Sequence, residues 1–164
     1  MKKTEKILVA LGLGEYSQGV FDFAASLAEG LGADMIVANI INNRDVEAVR
    51  VVSDMGYNVD GDHYISSVEL GRKGSIEKIL KASSFPFERM KTLIKIGNPM
   101  EQLLKIIKEE QVDMIVMGPK GRTDLEQVLL GSVAEKIFRR SPVTVVSYRD
   151  KQFADKLRMR EHPA

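Results

Sequence analysis

The chain has no cysteine and only two histidines among its 164 residues. The absence of cysteine excludes disulfides, thiol catalysis and cysteine-bound zinc, and it suits a reducing cytosol. His63 lies in a turn-like segment and His162 in a charged tail, and neither has a cysteine or a second histidine nearby. We therefore expect neither a Ser-His-Asp catalytic set nor a histidine-based metal site.

The charge balance and the lack of long apolar runs exclude further classes of partner. Lys and Arg number 24 against 23 Asp and Glu, so the formal net charge is +1 and no overall field attracts nucleic acid. No stretch approaches the roughly 20 apolar residues of a membrane span. The apolar run after MKKTEK is too short for a signal peptide. We expect a cytoplasmic protein with no nucleic-acid partner and no membrane partner, and any anion site must be local.

Five short apolar runs alternate with helical patterns along the chain. Because the runs lack the polar alternation of half-exposed strands, they are typical of a parallel sheet covered on both faces. The expected strands are Ile7–Leu11, Met35–Ile41, Met90–Ile96, Met114–Met117 and Pro142–Val146. The predicted fold is α/β: a five-stranded parallel sheet with helices on both faces, Rossmann-like, over residues 1–148 as a single domain. Residues 149–164 form a C-terminal tail, either a short helix that docks Phe153 and Leu157 or a frayed end.

Capping residues and turn signals place the helices between these strands. Ser17 is expected to cap the first helix, and Asn98 with Pro99 to begin the one after the third strand. The inner face of the first helix is predicted to contain Val20, Phe21, Ala24, Leu27, Ala28 and Leu31. The middle of the chain is less regular: residues 44–55 indicate a helix or an irregular lid, and residues 66–82 a crossover helix. Phe85 and Phe87 are predicted to cover the core.

The most informative stretch has the spacing Gly118-x2-Gly121-x9-Gly131-Ser132 and follows the fourth strand. Glycines allow the backbone to approach a ligand closely. Gly131-Ser132 opens an amphipathic helix, with an apolar face of Val133, Ala134, Ile137 and Phe138. The free N–H groups of its first turn and its dipole favour an anion. The alternative is purely structural: Ser132 and Glu135 form a capping box, as Thr123 and Glu126 do, and the glycines only turn the chain.

Other nucleotide motifs fit less well. Gly12-x-Gly14 follows a strand as a dinucleotide fingerprint does, but Ser17 occupies the place of the third glycine. No acidic residue ends the second strand, so a Rossmann dehydrogenase is a weak alternative. The GK[ST] ending of a P-loop is also missing, since Gly121 precedes Arg122-Thr123.

The glycine spacing resembles the nucleotide-phosphate motif of the universal stress protein family, in its ATP-binding branch. The run SPVTVV at 141–146 resembles the last strand of that family, and the likeness extends from Lys6 to Tyr148, weakest between Asn43 and Met90. The resemblance implies the adenine nucleotide alpha-hydrolase-like fold. It also implies a stress-response regulatory or signalling module that binds ATP or AMP, with or without Mg²⁺.

The same resemblance implies which residues contact the nucleotide. Phosphates would be held by main-chain amides and by the charge of one arginine, at Gly118, Gly121, Arg122, Gly131, Ser132 and Val133. Adenine would be met by backbone near Ile40 and by the end of the first strand, at Ala10 and Gly12. The family has a pattern similar to Pro-x-Asp-x-Ser at this strand end, whereas this chain has Ala10-Leu11-Gly12-Leu13-Gly14. The missing carboxylate removes a hydrogen bond worth about 1 to 3 kcal/mol, and Pro119 removes one N–H from the phosphate loop.

Two functions remain open. One is an adenine-nucleotide-binding protein whose ATP hydrolysis is at most slow, because no base is positioned to activate water. The other is a nucleotide-free dimeric interaction protein of the same fold. Both expect a homodimer paired through Val143–Ser147, the strand that the family pairs across a twofold axis and that here leaves an exposed sheet edge. The sequence does not specify the downstream protein partner.

Overall fold

The computed structural model describes residues 3–56, 60–119 and 130–161. In this part of the chain all strands are parallel and form one sheet in the order β3-β2-β1-β4-β5. The strands are β1 Lys6–Ala10, β2 Asp34–Asn42, β3 Met90–Gly97, β4 Met114–Met117 and β5 Thr144–Ser147. The predicted fold class, a five-stranded parallel sheet with helices, is confirmed. The fifth strand differs from the predicted Pro142–Val146, since it begins at Thr144 and ends at Ser147.

Helices cover the two faces of the sheet and bury alternate strand residues. They are α1 Ser17–Leu31, α2 Asn43–Asp54, α3 Gly61–Lys81, α4 Pro99–Glu109, α5 Ser132–Arg140 and α6 Lys151–Glu161. Residues of α1, α3 and α6 pack on the face that contains Ile7 and Val37. Residues of α4 and α5 pack on the face that contains Leu8 and Ile36. Such two-sided burial explains why the strand sequences are continuously apolar.

Side-chain caps set the starts of three helices in the middle of the chain. The Asn98 side chain accepts from the Glu101 N–H at 3.2 Å, and Pro99 is the first helical residue, as predicted. The Asn42 side chain accepts from the Arg44 N–H at 3.1 Å, so the segment left open as helix or lid is the helix α2. Asp60 accepts from two amides and starts α3 at Gly61, ahead of the predicted start at Ser66.

Several aromatic and aliphatic predictions at the edges of elements need correction. Phe85 is 2% exposed and belongs to the core, as expected. Phe87 does not cover the core: it is 57% exposed and begins a 3₁₀ turn, Phe87–Arg89, that has no buried residue. Leu31 and Phe138 are also exposed, since each lies beside the buried stripe of its helix rather than within it.

The C-terminal tail is a helix packed against the core. The Asp150 side chain accepts from the Phe153 N–H at 2.7 Å at the start of α6. The Phe153 ring meets the Tyr16 ring edge-on, with centroids 5.9 Å apart and an interplanar angle of 83°. Leu157 packs on the same cluster, so the predicted docking of these two residues on one helical face is confirmed.

We expect Phe153→Ala to lower the free energy of unfolding by about 3 kcal/mol, because the ring is 4% exposed and its removal leaves a cavity against Tyr16. Urea unfolding followed by circular dichroism measures the change. The matched control on the same helix is Met159→Ala, at a side chain that is 74% exposed, which should change stability by no more than about 0.5 kcal/mol. Equal effects of the two variants would show that α6 does not pack as described.

Candidate functional site

The candidate site lies where the winding of the sheet reverses direction. β1 is the central strand and pairs with β2 on one side and with β4 on the other, so that Ala10 is aligned with both Ala38 and Met117. The turns after β1 and β4 therefore leave the sheet side by side at its carboxyl edge. In open α/β sheets this is the position at which ligands bind.

A small cavity of about 20 Å³ lies between these two turns. It brings together three of the predicted site residues, Ala10, Gly12 and Gly118. The remaining lining residues are Leu11, Gly14, Tyr16, Ser17 and Val20. Tyr16 and Ser17 were not predicted to line a site. The available signal was the position of Ser17 at a helix start just after a Gly-x-Gly turn.

The start of α5 is held against the turn that follows β4. The Gly131 N–H donates to the Pro119 carbonyl at 2.7 Å, and the Gly131 carbonyl accepts from the Glu135 N–H at 3.0 Å. Gly131 is thus the residue that caps the helix, and no side chain caps it. Gly118 and Gly131 are close in space, as their spacing in the motif predicts. The Gly131 amide is already bonded, and the next amides of the first turn, those of Ser132, Val133 and Ala134, have no acceptor among the residues that the structure describes.

The predicted capping box of Ser132 and Glu135 is wrong. Ser132 is the first residue inside the helix and is exposed, and the Glu135 carboxylate pairs instead with Arg139 at 3.0 Å. The structural alternative for Ser132 therefore loses its physical basis. Gly121 and Arg122 lie outside the described residues, as does the shorter helix predicted around Thr123 and Glu126.

The residues predicted to lie near an adenine share one face of the sheet with the start of α5. Ala10, Ile40 and Val133 are all half-buried and pack against the cluster beneath α4 and α5. The structure therefore places the end of β1, the end of β2 and the first turn of α5 around one region.

Asn39 is a polar residue that the sequence interpretation missed. It is 2% exposed, and its side-chain amide donates to the Leu11 carbonyl at 2.7 Å. The Leu11 N–H donates to the Ala38 carbonyl at 2.9 Å, so together the two bonds tie the first residue beyond β1 to β2. The Asn39 side-chain oxygen has no hydrogen-bond partner in the described part of the chain. An amide within an otherwise apolar strand was the signal that could have identified it.

Leu13 adopts a backbone conformation that is unusual for a leucine. Its φ is +58°, in the left-handed region where a bulky side chain is strained. The side chain lines a second, larger cleft of about 710 Å³ between the end of β2 and the helices α2 and α3. Small-molecule sites commonly have volumes of roughly 300 to 1,000 Å³. The turn Gly12-Leu13-Gly14 is therefore a wall shared by the small cavity and this cleft.

The lining of the large cleft is mainly apolar with a few polar groups. Its apolar walls include Ile41, Val46 and Val68, and its polar groups are Asp45, Tyr64, Arg72 and Ser75. Most of these residues come from the segment between residues 43 and 90, where the sequence pattern was least informative. No three His, Asp or Glu side chains in the described ranges are placed to hold a metal ion together. Of the helices that the structure describes, none is both long and apolar enough to cross a membrane.

Together, the parallel sheet and the reversal at β1 define a Rossmann-like α/β protein, and the glycine turn beside an uncapped helix is its candidate ligand site. The model of the universal stress protein family matches residues 3–149. The chain therefore belongs to the universal stress protein family. The helix α6 begins at Lys151, just beyond the matched residues.

Curated relatives agree with this assignment. Universal stress protein MJ0577 of Methanocaldococcus jannaschii is 41% identical over 76 residues, which span 45% of this chain and 47% of that protein. A universal stress protein of Methanothermobacter thermautotrophicus is 28% identical over 146 residues, which span 85% of this chain and 92% of that protein.

Solved structures show the same fold. The structure of MJ0577 superposes with a TM-score of 0.75 at 25% identity, covering 92% of this chain and 99% of that one. A universal stress protein crystallised in complex with cAMP superposes with a TM-score of 0.60 at 19% identity, covering 90% and 98%. At that level of identity the second likeness concerns the fold alone.

We expect Asn39→Asp to make stability depend on pH, because an ionised carboxylate would face the Leu11 carbonyl in a buried place. Burial raises the pKa of that carboxyl above the value of about 3.9 in an unfolded chain. The native state then binds more protons than the unfolded state, so stability falls as pH rises through the folded pKa.

At neutral pH we expect the free energy of unfolding of Asn39→Asp to be about 1 to 3 kcal/mol below that of the unmodified chain. In acid it should recover, because the protonated carboxyl group can donate to the Leu11 carbonyl. Urea unfolding across a pH series measures it. Asn39→Leu serves as the control, since its loss should be the same at each pH after subtraction of the unmodified chain. An Asn39→Asp curve parallel to that control would contradict the burial and bonding of Asn39.

Proposed function

We propose that this protein binds an adenine nucleotide, ATP or AMP with or without Mg²⁺, and acts as a stress-response regulatory or signalling module in the cytoplasm. The observation that supports it most directly is the 2.7 Å hydrogen bond from the Gly131 N–H to the Pro119 carbonyl. That bond holds a helix start without a side-chain cap against the glycine turn after β4. The phosphates would bind there, at the amides of Ser132 and Val133.

Electrostatics at α5 favour an anion at this end of the helix. The first turn contains one acidic residue, Glu135, which is paired with Arg139, and the last turn contains Arg139 and Arg140. Basic groups at the carboxyl end and an anion at the amino end both complement the helix dipole, each by about 0.3 to 1 kcal/mol. A phosphate at the start of α5 would complete this arrangement. In the proposal, Arg122 adds a charge-assisted contact.

The nucleoside would extend from the phosphates over the ends of β1 and β2. Ala10, Gly12 and Ile40 would contact the base through main chain and apolar surface, and the adjoining 710 Å³ cleft supplies volume for a larger ligand. A universal stress protein of this fold has been crystallised in complex with cAMP, so the fold is able to hold a nucleotide. Because Gly12 carries no carboxylate, we expect the base to be recognised by shape and backbone rather than by a charged contact.

Binding without rapid turnover fits the residues near the turn. Among the described residues that line the small cavity, none is an Asp, Glu or His that could deprotonate a water molecule. In phosphoryl transfer the protein must position the nucleophile as well as neutralise charge. We therefore propose at most slow ATP hydrolysis.

The second candidate function is a nucleotide-free dimeric interaction protein of the same fold. The observation that favours it is the position of β5, which is the last strand at one side of the sheet. The proposed homodimer would pair through Val143–Ser147. In the structure only Thr144–Ser147 is strand, because the Val143 N–H donates to the Ser141 hydroxyl at 3.2 Å. A particle with the 18.3 kDa mass of one chain in sedimentation equilibrium would contradict the homodimer.

The protein would be a dimer under either function, so the oligomeric state does not distinguish them. The presence of bound nucleotide does. We expect the protein purified without added nucleotide to release an adenine compound on acid denaturation, to be identified by ultraviolet absorbance and mass spectrometry of the supernatant. An empty supernatant together with no heat of ATP binding in calorimetry would favour the nucleotide-free function.

We expect Gly131→Val to weaken ATP binding at least tenfold, about 1.4 kcal/mol, because the branched side chain would occupy the space in front of the Ser132 and Val133 amides. The backbone of Gly131, with φ −68° and ψ 150°, accommodates an L-residue, so the fold should persist. Isothermal titration calorimetry measures the affinity, and circular dichroism checks folding.

The matched glycine control is Gly74→Ala, since an added Cβ at Gly74 in α3 meets no atom within 4 Å and Gly74 is not among the residues that line the large cleft. This variant should bind ATP as the unmodified chain does. Unchanged affinity in a folded Gly131→Val variant would refute the phosphate site at α5.

A further inference from the structure

ATP or AMP bound at the start of α5 would leave unfilled the large cleft of about 710 Å³ between the end of β2 and the helices α2 and α3. We propose that this cleft is a second ligand site, which binds an uncharged small molecule with an apolar body and a hydroxyl group at one end. The inference goes beyond the proposed function, because the cleft can be occupied without a nucleotide.

The large cleft and the proposed nucleotide contacts lie on opposite faces of the sheet. Ile40 and Val133 pack against the cluster beneath α4 and α5. Ile41, the next residue of β2, lines the cleft, and successive side chains of a strand point to opposite faces. Leu13, at another wall of the cleft, packs against the cluster on the face of α1 and α3. A nucleotide held at the start of α5 therefore does not occupy the cleft.

The two helices that form the cleft bury few of their residues. Val46 is the buried residue of the 12-residue α2. The 21-residue α3 buries Ile76 and Leu80, both near its carboxyl end, and no residue between Gly61 and Ser75. The first turns of α3 are thus not packed on a core, and the cleft is the space between them, α2 and the end of β2.

Apolar residues of both helices line this space. Ile65 and Val68 are three residues apart on one face of α3, and Val46 and Val49 repeat that spacing on α2. Ile65, Val68 and Val49 are only half-buried. Leu13 extends the apolar wall from a backbone with φ +58°, a strained conformation of the kind that clusters at ligand sites. An apolar molecule in the cleft would remove these side chains from water, which is favourable.

The polar residues of the lining favour an uncharged ligand that donates a hydrogen bond. Asp45 and Arg72 contribute one charge of each sign, and each already interacts with another group of the protein. The lining therefore offers no net charge to an ionic ligand. The Ser75 hydroxyl donates to the Gly71 carbonyl at 3.1 Å, so its oxygen is left as an acceptor for a hydroxyl group of the ligand. Ser75 is exposed, which places this contact at the mouth of the cleft.

The test is a titration of the ¹⁵N-labelled full chain with 2-naphthol at neutral pH, followed by amide chemical shifts. This probe is uncharged and has an apolar ring system with one hydroxyl group. We expect saturable shifts at Leu13, Val46, Val49 and Val68. Ser75→Ala should weaken the binding of 2-naphthol about fivefold, as expected for one hydrogen bond, and leave the binding of naphthalene unchanged. Naphthalene-2-sulfonate, which has the same rings and a negative charge, should bind more weakly than 2-naphthol.

Val68→Trp and Leu70→Trp are a matched pair of variants on α3. The new ring of Val68→Trp would fill the cleft and should abolish the binding of 2-naphthol. Leu70 is 72% exposed and does not line the cleft, so Leu70→Trp should bind as the unmodified chain does. Val49→Trp, from the opposite wall, should act as Val68→Trp does. Because each ring enters unfilled apolar space, both filling variants should unfold at no lower temperature than the unmodified chain.

The inference is overturned if 2-naphthol gives no saturable shifts at the cleft, or if folded Val68→Trp binds it as Leu70→Trp does. It is also overturned if Val68→Trp and Val49→Trp both fail to fold, because α2 and α3 would then pack together without a cleft. Naphthalene-2-sulfonate binding as tightly as 2-naphthol would overturn the uncharged class of ligand, and an unchanged affinity of Ser75→Ala would overturn the hydroxyl contact.

A parallel titration with ATP distinguishes failure of this inference from failure of the proposed function. Gly131→Val, which is expected to weaken ATP binding, should bind 2-naphthol as the unmodified chain does. Binding of 2-naphthol by a chain that does not bind ATP would support the cleft site and contradict the proposed function. Binding of ATP by a chain whose cleft amides do not respond to 2-naphthol would support the nucleotide site and overturn the cleft site.

Discussion

The hydrogen bonding of β1 on both sides is the constraint on which the rest of the structure depends. Because β1 pairs with β2 and with β4, the connections that leave these neighbours run in opposite directions across the sheet. The turns after β1 and β4 are left adjacent, with no crossover helix between them. Every candidate nucleotide contact, from Gly12 to Gly131, depends on the space that these opposite connections leave between the two turns.

The helices differ in how their starts are capped, and the uncapped starts lie beside the candidate site. α2, α3 and α4 begin with side chains of Asn42, Asp60 and Asn98 that accept from their first amides. α1 and α5, which begin beside the reversal, have no such side-chain cap. An uncapped start is unfavourable unless water or a ligand satisfies its donors. The two helices that lack this stabilisation are those whose starts lie where a phosphate would bind.

Several features particular to this chain lie around the turn after β1, at the carboxyl edge of the sheet. Gly12 stands where the family pattern has an acidic residue, and the following Leu13 has a left-handed backbone conformation and lines the large cleft. Asn39 holds the first residue of the same turn to β2. On the other side, α6 places Phe153 against Tyr16, a wall of the small cavity, although α6 lies beyond the part that matches the family. The turn after β1 is therefore positioned by residues from both ends of the chain.

Much of the fold could be predicted because its signals are local. Continuous apolar runs identified each strand, and Asn98 with Pro99 identified the start of α4, since a cap acts within one helical turn. The spacing of Gly118 and Gly131 predicted that a turn and a helix start adjoin. Local patterns failed where burial depended on a neighbour distant in sequence: Phe85 is buried and Phe87 is not, although both flank Pro86.

The sequence by itself determined the class of the sheet, the positions of its strands and the family, because apolar runs and glycine spacing express backbone requirements that hold in any context. Only the tertiary structure decided which polar groups stay without partners. The Asn39 side chain is bonded to Leu11 and the Gly131 amide to Pro119, and no pattern along the chain specifies these contacts. The helix start of α5, where amides have no acceptor among the described residues, is positioned by packing against the turn after β4, and the candidate chemistry of this protein depends on that packing.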